Sequence, residues 1–196
     1  MADTIAPVAA CQGLTVQLDA NGNATITATQ IENGSSDACG IAATSIDITS
    51  FDCSNVGANT VTLTITDVNG NSSACTATVT VEDTTAPAAS CQNITVQLDA
   101  SGSVTVTGAQ VDNGSTDLCG AVSLAGSPNT FDCSNIGANT VTLTVTDASG
   151  NTATCTATVT VEDITAPTAI CQNISVALSA AGTASITAAQ INNGAT

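Results

Sequence analysis

Two residue classes in this chain could do chemistry, acids and cysteines, and both recur on a fixed spacing. The 196 residues carry 16 Asp plus Glu and nine Cys, with no Lys, Arg or His, for a formal charge of -16. Seven acidic positions return 80 residues later: Asp19 as Asp99, Glu32 as Asp112, Asp37 as Asp117, Asp52 as Asp132, Asp67 as Asp147, Glu82 as Glu162 and Asp83 as Asp163. Asp3 precedes Asp83 by the same interval, and only Asp47 has no counterpart. Carboxylates that no basic side chain can neutralise are hard oxygen donors. That is the ligand type Ca2+ takes in flexible sets of roughly six to eight, whereas Zn2+ and Cu2+ favour nitrogen and sulfur. The cysteines do not suggest a zinc or iron–sulfur centre, because their spacings are long and no Cys-x-x-Cys pair or His exists. Nine of them point instead to disulfides and an oxidising, extracellular setting.

The same composition excludes several functions. Neutralising nucleic-acid phosphates takes Lys and Arg. Catalysis by a His base, a Lys Schiff base or an Arg clamp is impossible in a chain without those residues. Paired carboxylates can hydrolyse glycosides, but the recurrent acids fall in turns and linkers, so no enzyme is expected. No run of eighteen apolar residues exists, so no membrane insertion is expected either. Hydrophobic content of 43% with abundant Val, Ile and Thr favours folded β structure over disorder. Met1-Ala2-Asp3 enters the repeating pattern at once, so the N-terminus reads as that of a processed chain or an excerpt.

The elements that must position these groups are themselves repeated. Cys11-Gln-Gly-Leu-Thr-Val-Gln-Leu-Asp19 returns at Cys91 to Asp99 and again at Cys171 to Ser179, while Cys75 to Asp83 is identical to Cys155 to Asp163. The 80-residue period gives two whole units, 3–82 and 83–162, and the N-terminal part of a third, incomplete one at 163–196. Within a unit the apolar residues alternate. Val61, Leu63 and Ile65 share one face and Thr60, Thr62, Thr64 and Thr66 the other, the signature of half-buried antiparallel strands. Asp19-Ala-Asn-Gly-Asn23 and Asp67-Val-Asn-Gly-Asn71 supply turns. About seven strands per unit are expected, near 13–18, 24–30, 41–46, 48–52, 55–57, 60–66 and 74–82, with no helix. The expected fold is all-β: tandem immunoglobulin-like sandwiches joined end to end as a rod.

The motifs Val-Glu-Asp-x-Thr-Ala-Pro, Cys-Gln-Asn-Ile-Thr-Val and Thr-Val-Thr-Leu-Thr-Val-Thr-Asp-x-x-Gly-Asn, with a closing Cys, resemble hyalin-type (HYR-like) repeats. More narrowly, they are similar to the tandem repeats of very large Bacteroidetes surface adhesins of the SprB gliding type. That resemblance implies an immunoglobulin-like module repeated in a bacterial extracellular filament.

Four cysteines per unit allow three pairings. In an immunoglobulin-like sandwich the first and last strands run side by side and parallel, which predicts Cys11–Cys75 and Cys91–Cys155. Cys39 and Cys53 flank a segment centred near Ile46 that reads as a hairpin, which predicts Cys39–Cys53 and Cys119–Cys133. Cys171 is left unpaired, its partner expected beyond Thr196; a reactive thiol or an intermolecular bridge is the alternative.

The same topology gathers the acids. The loop after the second strand and the turn between the last two strands share one pole, where the linker Glu82-Asp83 also arrives. Structural, interdomain Ca2+ is therefore expected on Glu82, Asp83, Asp112, Asp117 and Asp147. A similar set is expected on Asp3, Glu32, Asp37 and Asp67, and the linker acids Glu162 and Asp163 extend the series. A solvated acidic surface is the competing reading. The expected function is a structural repeat region of a cell-surface filament or adhesin, stiffened by calcium and disulfides, with neighbouring repeats of the same filament as partners. The alternatives are direct binding of a polysaccharide or surface, and a self-assembling pilus subunit.

Overall fold

The computed structural model describes residues 3–195. Two sandwich-like domains follow one another in sequence. The first is built from β1 (Leu14–Gln17), β2 (Asn23–Thr25), the short helix α1 (Ala28–Ile31), β3 (Ile41–Ile46), β4 (Ser50–Asp52), a 3-10 turn (Cys53–Asn55), β5 (Gly57–Asp67) and β6 (Ser72–Glu82). Its larger sheet has the order β1-β6-β5-β3, and the smaller pairs β2 with β4. β1 runs parallel to β6, Leu14 opposite Val79 and Gln17 opposite Glu82, while β5 and β6 form a long antiparallel ladder from Gly57 opposite Val81 to Thr66 opposite Ser72.

The period-two pattern of the sequence explains this ladder. Val61, Leu63 and Ile65 on β5 are fully buried and Val79 and Val81 on β6 nearly so, while the intervening Thr residues face outward. Ile26, Ile31 and Phe51 close the same core from the other side. Each fully buried Val, Leu or Ile contributes roughly 1.5–3 kcal/mol relative to exposure. The second domain repeats the arrangement with β7 (Ile94–Gln97), β8 (Ser103–Thr105), α2 (Gly108–Val111), β9 (Ser123–Ser127), β10 (Thr130–Asp132), a 3-10 turn (Cys133–Asn135), β11 (Gly137–Thr146) and β12 (Thr152–Glu162). Its strand orders, β7-β12-β11-β9 and β10-β8, match those of the first. Residues 163–195 are nearly all exposed, and their one element among the described residues is α3 (Ala188–Ile191).

Three sequence expectations need correction. Each domain has six strands, not seven, because the strand expected at 55–57 is split between the 3-10 turn and the start of β5. The strand expected over 24–30 stops at Thr25, and α1 takes its end. Thr27 opens that helix with a capping box: its N–H donates to Gln30 Oε1 at 2.8 Å, and Thr107–Gln110 and Thr187–Gln190 repeat the contact at 2.8 Å.

The third correction concerns the cysteines. Cys11 is joined to Cys75 and Cys91 to Cys155, with Cα–Cα separations of 6.0 and 5.8 Å. The structure does not contain the expected Cys39–Cys53 and Cys119–Cys133 bonds. Cys53 is bonded to Cys119 (Cα–Cα 4.8 Å), and Cys39, Cys133 and Cys171 are free and exposed. The reason is sheet membership: β3 pairs with β5 and β4 with β2, so the segments bearing Cys39 and Cys53 are not two arms of one hairpin.

Ser73 Oγ is buried without a hydrogen-bond partner, while Ala153 occupies the equivalent position one period on. A buried orphan hydroxyl is destabilising, so Ser73→Ala should raise stability by about 1 kcal/mol in urea unfolding. A loss of stability instead would mean that the hydroxyl is satisfied.

Candidate functional site

The turn joining β11 to β12 is closed by its own acid. Asp147 Oδ1 accepts from the backbone N–H groups of Ser149 (2.9 Å) and Asn151 (2.8 Å), and Oδ2 accepts from Asn151 Nδ2 (2.8 Å). The β5–β6 turn repeats this around Asp67, with Asn69 N at 2.8 Å, Asn71 N at 2.9 Å and Asn71 Nδ2 at 2.7 Å. Both carboxylates are buried, Asp67 to 1% and Asp147 to 7% exposure. Burial pushes both groups up, but the hydrogen bonds from Asn71 and Asn151 and their neighbouring backbone donors outweigh it and hold both below the usual Asp value. These aspartates stay ionised although buried.

The two asparagines also reach outward. Asn151 Nδ2 donates to the Asp83 carbonyl (3.1 Å), and Asn71 Nδ2 to the carbonyls of Asp3 (3.2 Å) and Ile5 (3.4 Å). Each thereby ties the segment entering a domain to the turn at its pole. The turn reading of Asp67-Val-Asn-Gly-Asn71 does not predict this tie. The recurrence of the two asparagines after Asp-x-x-Gly was the available signal.

The entering segment brings its acid against the loop after the short helix. Ligand atoms of Asp83, Asp117 and Cys119 lie within 4.8 Å of one another, as do those of Asp3, Asp37 and Cys39. Asp83, at 6% exposure, accepts from Thr85 N at 3.0 Å; Asp117 Oδ2 accepts from Cys119 N at 2.7 Å. In the other cluster Asp3 Oδ1 accepts from Ile5 N at 3.0 Å, and Asp37 Oδ1 from Cys39 N at 2.8 Å and Gly40 N at 3.0 Å. The sulfurs are not the donors that count. Cys119 is committed to its disulfide. The hydrogen bond that the Cys39 S–H donates to the Asp3 carboxylate, with the negative charge of that group, pushes the thiol up from its ordinary value, and desolvation and the charges of Asp37 and Asp67 add to this. Oxygens remain, which fits a hard cation.

The other expected ligands are placed differently. Glu32 Oε1 accepts from Ser35 N (2.5 Å), and Asp112 from Ser115 N (3.0 Å) and Gly114 N (3.1 Å), so both order their own loop. Ser35 and Ser115 in turn hold Ala10 N and Ser90 N, at 2.9 and 3.0 Å. Glu82, Glu162 and Asp163 are exposed, and Asp163 Oδ1 accepts from Thr165 N at 2.9 Å. The structure therefore unites Asp83 with Asp117 and Asp3 with Asp37. It sets Asp147 and Asp67 one asparagine away, and leaves Glu32, Asp112, Glu82, Glu162 and Asp163 outside the clusters.

Fold and geometry together define sandwich-like domains that carry paired acids, and residues 82–161 match the family described as the HYR domain. Among solved structures the chain is similar to human mucin-like protocadherin EC1-2, at 15% identity and TM-score 0.39, covering 80% of this chain and 98% of that one. It is similar to the first four extracellular cadherin domains of protocadherin gamma B7, at 13% identity and TM-score 0.40, with 89% of this chain and 55% of that one covered. An endo-fucoidan hydrolase of glycoside hydrolase family 107 also aligns, at 13% identity and TM-score 0.32, over 82% of this chain and 29% of that one. The chain thus spans about half the length of the protocadherin gamma B7 structure and under a third of the hydrolase. No curated protein matches it. No helix among the described residues is long and apolar enough to cross a membrane.

Proposed function

We propose that this chain is a structural stretch of an extracellular, cell-surface filament or adhesin, non-catalytic, whose modules are stapled by disulfides and stiffened by calcium. The modules are 3–82, 83–162 and the opening part of a third at 163–196, of which Thr196 lies outside the described residues. The observation that carries the reading is the pairing of Asp83 and Asp117. Two carboxylates within 4.8 Å, one of them buried, stand in a chain with no basic side chain. Their repulsion is roughly 1 kcal/mol in water and several-fold more where solvent is partly excluded. A bound divalent cation removes that cost. Asp83 and Asp117 would hold it in one module and Asp3 and Asp37 in the other, with Glu82, Asp112 and Asp147, and Glu32 and Asp67, as the surrounding acids. Glu162 and Asp163 would serve the next module in the same way.

The HYR match over residues 82–161 supports an extracellular, adhesion-type module. The likeness of the repeated motifs to gliding-adhesin repeats favours a bacterial surface filament, with neighbouring modules as partners. Immunogold labelling of intact, unpermeabilised cells tests this. Antibody raised against the chain should decorate filaments at the cell surface, and label confined to the cell interior would overturn the reading.

A further inference from the structure

Cys39 stands 80 residues before Cys119, and Cys133 stands 80 residues after Cys53. Cys53 and Cys119 are bonded to each other, while Cys39 and Cys133 are free and exposed. We propose that Cys39 and Cys133 are the open ends of a series of inter-module disulfides, each bonding the complementary cysteine of another module of this kind.

Each free cysteine sits in the setting of its bonded equivalent. Cys53 and Cys133 open 3-10 turns capped by Asp52 and Asp132 with the same backbone angles, φ -133° and ψ -172°, and each cap accepts from the following Ser N–H at 2.8 Å. Both sulfurs lie over a glycine with positive φ. A Cβ on Gly22 (φ 73°) would approach Cys53 Sγ to 2.8 Å, and one on Gly102 (φ 74°) would approach Cys133 Sγ to 3.1 Å. The cradle that admits the Cys53–Cys119 bond is therefore built again around Cys133. On the other side, Asp37 fixes Cys39 N at 2.8 Å as Asp117 fixes Cys119 N at 2.7 Å. The bonded pair shows what such a cradle takes: a thiol on a loop of the Asp37–Cys39 type. The bond needs no cation and stands apart from the calcium reading.

The chemistry balances with a small-molecule disulfide as oxidant. The Cys133 thiol, losing its proton, attacks oxidised glutathione to form a mixed disulfide and release one glutathione thiol. The complementary thiol, also losing its proton, then attacks the Cys133 sulfur and releases the second. Two cysteine thiols are oxidised, and one glutathione disulfide is reduced to two thiols.

The partner cysteine could belong to a second copy or to a module elsewhere in one longer chain, and two experiments separate these sources. In the first, the chain carrying Cys171→Ala is incubated in a glutathione redox buffer and digested with an Asp-specific protease without reduction. Peptides joining Cys39 to Cys133 should outnumber Cys39–Cys39 and Cys133–Cys133 peptides at least tenfold, and Cys39→Ala should keep the protein monomeric. Statistical pairing, or glutathione-capped monomers alone, overturns the proposal. In the second, native protein is alkylated and mapped without reduction. Cys133 joined to Cys39, with a fall in mass on reduction, assigns separate copies. Cys133 joined to a peptide outside residues 1–196, with no fall in mass, assigns one longer chain. A free, alkylated Cys133 overturns it.

Discussion

Replacing Cys91 and Cys155 together by alanine should cost the second sandwich about 4 kcal/mol. The bond closes a loop of 64 residues, and chain entropy for a loop of that length gives a penalty of this size on the unfolded state. Small domains have only about 5–15 kcal/mol of net stability, and this one buries a single aromatic side chain, Phe131. The loss should appear in urea as a lower midpoint for one transition. The Cys11→Ala, Cys75→Ala pair should do the same for the first sandwich, whose bond also spans 64 residues. Cys171→Ala, at a free and exposed thiol, serves as the control and should leave the stability within about 0.5 kcal/mol. A double variant that loses less than about 1 kcal/mol would mean that the apolar ladders of β11 and β12 hold the domain unaided.

Metal-free protein should also be stabilised by calcium. A ligand that binds only the folded state, present at a hundredfold its Kd, adds about 2.7 kcal/mol by mass action. For a sandwich of this size that is roughly 10 °C or more in Tm. The increment should vanish in chelator. It should be reduced in Asp83→Asn and Asp117→Asn, which keep the side-chain shape and remove one of the two adjacent charges. In chelator these variants should be at least as stable as the parent, because the carboxylate repulsion has gone. A Tm that ignores calcium in the parent would leave the acidic poles as solvated surface.

The core was readable because alternation of period two leaves little choice. Once Val61, Leu63 and Ile65 face inward, Thr60, Thr62, Thr64 and Thr66 must face out, and the register of β5 against β6 follows. The parallel neighbours β1 and β6 followed from the fold class, and with them the proximity of Cys11 and Cys75. Short elements were less legible. Ala24, Ile26 and Ala28 continue an alternating pattern, yet the Thr27–Gln30 capping box turns the chain into α1 instead. That box was present in the sequence and competed with the alternation on nearly equal terms.

The second cysteine pair was misread for a different reason. Spacing along the chain shows which segments are near one another in sequence but not which sheet each one joins. β3 and β4 part to different sheets, so Cys39 and Cys53 do not face each other, and Cys53 is bonded to Cys119 instead. The acids were legible as a recurring set but not in their individual roles. Local donors decide those roles: Asp67 and Asp147 turn inward to asparagine, Glu32 and Asp112 to serine, and among the described residues the entering Asp3 and Asp83 meet the acids of the following loop.

Calorimetric titration of calcium into the metal-free chain, alongside its Asp117→Asn variant, addresses the cation directly. The account predicts saturable binding to the parent that weakens at least tenfold when the Asp117 charge is removed. Heats no larger than dilution in both proteins, or equal affinity in both, would contradict it.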